Sequence, residues 1–78
     1  MTPAEKRIHD AVDLFMAQER RDSRRTGRNV RQSALRLGIT YDVLLSRQLH
    51  PGEYRWQEIE SIAKATGTTA EKLIGGNA

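Results

Sequence analysis

NVRQSALRLGITYDVLLSRQLHPG, residues 29 to 52, reads as two short helices joined at Gly38-Ile39-Thr40, which is how a helix-turn-helix looks in sequence. Asn29 can cap the first helix, with Gln32 three residues on completing a capping-box-like pair. Val30, Ala34 and Leu37 recur at i, i+4 and i+7, one stripe of an α-helix, while Arg31, Gln32, Ser33 and Arg36 face elsewhere. Gly38 stands where a left-handed C-cap is wanted, because glycine takes positive φ at no steric cost. Thr40 can cap the second helix. That helix runs to about His50 and stops at Pro51-Gly52, since proline supplies no donor and disfavours a helical residue before it. Stepping about 100° per residue from Tyr41 gathers Tyr41, Leu44, Leu45, Gln48 and Leu49 on one side as core. Asp42, Val43, Ser46, Arg47 and His50 are left facing out.

Moving outward, Thr2-Pro3-Ala4-Glu5 combines a capping threonine, a proline at the first helical position and a glutamate that returns the bond. Ile8, Ala11, Val12, Phe15 and Met16 then repeat at helical spacing, so a helix buries one face against the central unit. The stripe stops at Gln18. The helix is expected to coast to about Arg21 before Ser23, Thr26 and Gly27 loosen it. On the other side, Trp56, Ile59, Ile62, Ala63 and Thr66 form a third stripe ending at Gly67, with Trp56 as its core anchor. Thr68-Thr69-Ala70-Glu71 offers a further capping box for a short last helix with Leu73 and Ile74, and Gly75-Gly76-Asn77-Ala78 reads as a frayed tail. Leu73 and Ile74 can close the monomer core.

The chain has 78 residues, no cysteine and a formal net charge of +3. That is one domain, near the lower size at which a core holds without a staple. It has neither a disulfide nor a thiolate metal site. No apolar run is long enough to span a membrane or to form a signal peptide, so a soluble, cytoplasmic protein is expected. The charge is unevenly placed: Arg20, Arg21, Arg24, Arg25, Arg28 and Arg31 fall within twelve residues, opposed only by Asp22, while the last third is close to neutral. Such asymmetry is the footprint of a phosphate-binding face, and arginine's planar fork suits phosphate. The connection over 20–29 is therefore read as a phosphate-gripping arm of the kind that enters a minor groove. His9 and His50 lie on different helices with no ligand spacing around them. There is no phosphate loop, nucleophile elbow or suggestively spaced carboxylate pair. The expectation is no enzyme, no metal, no cofactor and no small-molecule substrate.

Several of these residues carry a resemblance. Ala34 and Gly38 four apart with Ile39 following, Gly52 after the second helix, then Trp56, Ile59, Ile62 and Ala63 in a helix ending at Gly67, resemble the lambda repressor/Cro class of helix-turn-helix regulators. The likeness covers roughly residues 29–74, and by it the last helix, with Leu73 and Ile74, is implied as a dimer contact, the alternative to closing the monomer core. It implies an all-α, compact bundle of about five helices around a helix-turn-helix, in one domain over 1–78 with the unit itself at 29–52. Two features depart from the class. The Arg-rich connection is longer than usual, and a register counted rigidly from Gly38 would bury Arg47 and expose Leu45 and Leu49. A turn longer by one residue, with Leu45 in the buried place, restores agreement with the apolar phase.

The implied function is transcriptional regulation by sequence-specific binding of double-stranded DNA, as a phage or mobile-element repressor would, with helix 41–50 in the major groove. Asp42, Val43, Ser46, Arg47 and His50 are then the base-contact candidates, with Arg47 first in line for guanine. Arg24, Arg25, Arg28, Arg31 and Gln32 are candidates for phosphate, joined by Tyr54 and Arg55 from the loop that approaches the backbone in that class. A homodimer on a pseudo-palindromic operator, its half-sites about 10 bp apart, follows from the small reach of one domain. The expected place of action is the nucleoid of a bacterial or phage-infected cell, with no membrane partner. Two rivals stand beside this: an antitoxin-type autoregulator that also holds a toxin, and a helical interaction module whose arginines meet an acidic protein.

Overall fold

A computed structural model of the chain describes residues 1–75, which form six α-helices and one 3-10 turn, with no strand among the described residues. The helices are α1 (Pro3–Arg21), α2 (Ser23–Thr26), α3 (Val30–Arg36), α4 (Tyr41–Leu49), α5 (Trp56–Ala65) and α6 (Ala70–Gly75), with the 3-10 turn at Pro51–Glu53. The all-α expectation holds. The helix beyond the expected five is α2, which occupies what the sequence presents as a loose arginine-rich loop. Arg20 and Arg21 complete α1, and Ser23–Thr26 winds one further turn before Gly27 ends it with φ 73°. Most of this segment is helical, not a structureless connection.

Local signals explain most boundaries. The Thr2 hydroxyl accepts from the Glu5 N–H while the Glu5 carboxylate accepts from the Thr2 N–H, starting α1 with a full capping box. Asn29 and Gln32 do the same for α3. Thr40 accepts from the Val43 N–H at the start of α4, and His50, followed by Pro51, closes that helix. For α6 the cap is one residue later than expected: Thr69, not Thr68, accepts from the Lys72 N–H. The frayed tail expected from Gly75 begins inside α6, and Gly76, Asn77 and Ala78 lie outside the described residues.

The core is one cluster. Ile8, Val12, Phe15 and Met16 of α1 meet Ala34, Leu37 and Ile39 around the α3–α4 turn, Leu44 of α4, Tyr54, Ile59 and Ile62, and Ala70. Leu37, Ile62 and Val12 are its most enclosed large side chains. Leu73 and Ile74 pack against this cluster, so α6 helps to close the monomer. Val30, Trp56, Leu45 and Leu49, expected in it, do not belong to it. All four are exposed, Trp56 by 47 %, and the ring that enters the core in its place is Tyr54. A phenol is admitted there because its hydroxyl donates to the Gln48 amide oxygen, which satisfies the polar end of an otherwise apolar ring. Burial raises the Tyr54 pKa.

Candidate nucleic-acid interface

Helix α4 is rotated from the phase its apolar residues suggest. Leu44 enters the core, whereas Leu45 is 46 % and Leu49 78 % exposed. The outer face therefore holds Asp42, Leu45, Ser46, Leu49 and His50, all exposed. Two of the five expected outward residues, Val43 and Arg47, lie instead on the flank that meets α5. Val43 is half-buried and lines a shallow groove with Gln57, Glu58 and Ser61. Arg47 donates from Nε and Nη2 to the two carboxylate oxygens of Glu58 at 3.0 and 3.3 Å, and the side chains are only 16 % and 15 % exposed.

The physical reason is that Arg47, turned inward by this rotation, finds its partner in Glu58, while Gln48, inward in either phase, is satisfied as well. The Gln48 amide donates to the His9 carbonyl and to Asp13 on α1, both at 3.1 Å, and accepts from Tyr54. Burial alone would push the Glu58 carboxyl up, but the hydrogen bonds from Arg47 and from the Arg55 N–H outweigh it and hold its pKa below the usual range. Arg47 is thus a strut between α4 and α5, not a free fork. Arg47→Ala is expected to lower the melting temperature by a few degrees, because it strands a half-buried carboxylate. It should leave any ligand preference of the outer face unchanged. Thermal unfolding and a binding-preference selection on the variant check the two halves separately.

The N-terminal turns of α3 and α4 stand side by side. Arg31 reaches Asp42 at 3.8 Å, and its guanidinium lies 5.7 Å from the centre of the Tyr41 ring. On the flank that meets α5, Glu58 accepts from Arg47 of α4 and from the backbone N–H of Arg55, a residue whose side chain is exposed. Two exposed arginines thus belong to the surroundings of α4: Arg31 against its first turn, and Arg55 at the start of α5, where Glu58 ties the two helices together. Gln32 is exposed beside Arg31, with its carbonyl oxygen committed to the α3 cap.

The remaining cations divide into two groups. Arg24 and Arg25 are exposed on α2, where Arg25 makes only a surface pair with Asp22 at 3.4 Å. Arg28 is committed inside the fold, donating from Nε to Glu19 at 2.9 Å and from Nη2 at 3.3 Å. Glu19, near the end of α1, is buried and also accepts from the Ser33 hydroxyl and the Arg36 guanidinium. This junction is absent from the expected sites, although its signal is in the sequence: Glu19 continues the stripe of Val12, Phe15 and Met16 at helical spacing. Tyr54, placed among the phosphate candidates by the resemblance, is buried and faces the core.

Among the described residues no group of acids and histidines is arranged to hold a metal ion, and no helix is long and apolar enough to cross a membrane. Comparison of the chain with protein-family models, with curated proteins and with solved structures gives no match.

Proposed function

We propose that this chain is a sequence-selective, double-stranded-DNA-binding transcriptional regulator that works as a homodimer, with α3 and α4 as a helix-turn-helix and α4 as the helix that enters the major groove. The observation that carries the reading is the outer face of α4, turned away from the core, with exposed Arg31 and Arg55 in its surroundings. An α-helix with its side chains is about 10–12 Å across and fits a major groove about 12 Å wide, so cations near the helix come close to the phosphate backbones. The burial phase of α4 also supports the resemblance to the lambda repressor/Cro class. It coincides with the register counted from Gly38, in which the Arg47 position is turned inward, and the Glu58 pair explains how an arginine is accommodated there.

In this reading Asp42, Ser46 and His50 remain base-edge candidates, and Leu45 and Leu49 replace Val43 and Arg47 on that face. Arg24, Arg25, Arg31, Gln32 and Arg55 remain phosphate candidates. Removing Arg24 and Arg25 together is expected to reduce the slope of log affinity against log salt by about 2, one for each phosphate that an arginine no longer neutralises. Arg28→Ala, by contrast, should act first on stability through Glu19. Titrations at several salt concentrations, with a melt of each variant, separate the two behaviours.

A helical protein-interaction module is the second reading, favoured by the exposed Leu45, Leu49 and Trp56. Selection from a random duplex library at about 150 mM salt, near physiological screening, decides between them. A two-fold symmetric motif with half-sites about 10 bp apart is the expected result. A folded protein that enriches no motif overturns the DNA-binding reading in favour of a protein partner.

A further inference from the structure

We propose that Leu45 and Leu49 read thymine methyl groups, making apolar contact with A·T pairs the main determinant of base preference. This rests on the DNA-binding reading above. The two leucines are one turn apart on the same stripe of α4 and are 46 % and 78 % exposed. Single exposed apolar residues are ordinary; here two share the outer face of a helix with exposed Arg31 and Arg55 in its surroundings. That positive charge matches a polyanion. Asp42, the one acid on the face, is partly offset by Arg31 at 3.8 Å.

A leucine side chain neither donates nor accepts a hydrogen bond. Of the groups that unmodified base pairs display in the major groove, only the thymine C5 methyl offers it an apolar contact. With Arg47 tied to Glu58 and Val43 turned toward α5, no arginine of α4 is free to fork onto guanine, and the hydrogen-bonding groups left on the face are Asp42, Ser46 and His50. The face is thus better suited to detecting methyl groups than to bidentate readout.

The test uses the duplex recovered by the selection, with each thymine replaced in turn by deoxyuridine, which removes the methyl and leaves pairing intact. Affinity is expected to fall about fourfold for each contacted methyl withdrawn, the effect of one buried carbon, at one or two positions per half-site. Leu45→Ala and Leu49→Ala, whose exposed side chains leave the melting temperature unchanged, should weaken the parent duplex by a similar factor and lose the preference for thymine over deoxyuridine. If every deoxyuridine duplex binds as tightly as its parent, or both leucine variants keep the full preference, this proposal fails while DNA binding stands. A selection that recovers no motif overturns both.

Discussion

Replacing Gly38 with alanine is expected to destabilise the fold by about 3 kcal/mol, the sum of a backbone penalty and a steric one. Gly38 has φ 83° at the turn between α3 and α4, a left-handed conformation that costs an L-residue about 1–2 kcal/mol. A β-carbon there would also lie 2.9 Å from both Cβ and Oγ of Ser61. Ser61 Cβ is fixed to the α5 backbone and cannot swing away, so α5 has to shift, and overpacking of this kind costs about 1–3 kcal/mol. In a domain of this size about 3 kcal/mol corresponds to a fall of roughly 15 °C in melting temperature. The double variant Gly38→Ala with Ser61→Gly should regain the steric part and retain the backbone part, after allowance for about 1 kcal/mol from a glycine inside α5. A Gly38→Ala protein that melts within two or three degrees of the parent, by about the measure of a sub-kcal effect, would show that the close approach of α5 to this turn is wrong.

That turn also marks how far the sequence could be read. Where a signal is local, the expected element forms: the Thr2–Glu5 and Asn29–Gln32 capping boxes, the positive φ of Gly38, and the end of α4 before Pro51. Each depends on residues within a few positions of one another, so tertiary context has little room to override it. The phase of α4 depends on what surrounds it. A short helix carrying Leu44, Leu45 and Leu49 with Val43 and Arg47 offers two ways to place an apolar stripe, and apolarity alone chooses the one with three leucines inward. The fold takes the other, because Glu58, eleven residues beyond Arg47, turns an inward arginine into a bidentate pair; Gln48, inward in either phase, is held by Tyr54 and Asp13.

The candidate interface was accordingly legible in part. Asp42, Ser46 and His50 face out as expected, and Arg24, Arg25, Arg31 and Arg55 are exposed. The identities hardest to assign were those with two uses. An arginine serves equally as a phosphate contact or as the partner of an internal carboxylate, and only the position of that carboxylate distinguishes them. Arg28 and Arg47 both proved to be of the second kind. Trp56 and Tyr54 exchange roles for a related reason: aromatic composition marks the neighbourhood of the core but not which ring enters it.

Glu19→Gln is expected to destabilise the protein by about 2 kcal/mol at neutral pH, in the range found for hydrogen bonds to charged groups. Glutamine keeps the volume and one acceptor oxygen for the buried Ser33 hydroxyl, but it removes the charge that Arg28 and Arg36 converge on. Those arginines are partly exposed, which screens the pair and keeps the effect below that of a fully buried bridge. The Arg28 hydrogen bond, aided by Ser33 and by the Arg36 charge, holds the Glu19 carboxyl below its ordinary value of 4.5 despite its burial. A carboxyl whose folded pKa is depressed contributes stability that is fully present above the unfolded value and is lost as pH falls through the folded one. The melting temperatures of parent and variant should therefore differ most at neutral pH and converge below about pH 4.5; a gap independent of pH would assign the loss to packing instead. The same substitution leaves two cations without their internal counter-charge at the edge of α3. If that edge meets phosphate, the folded variant should show a steeper salt dependence of DNA binding, by up to about 1 in slope for each arginine released. Lower stability with stronger electrostatic binding is a combination that a purely structural role for Glu19 does not produce.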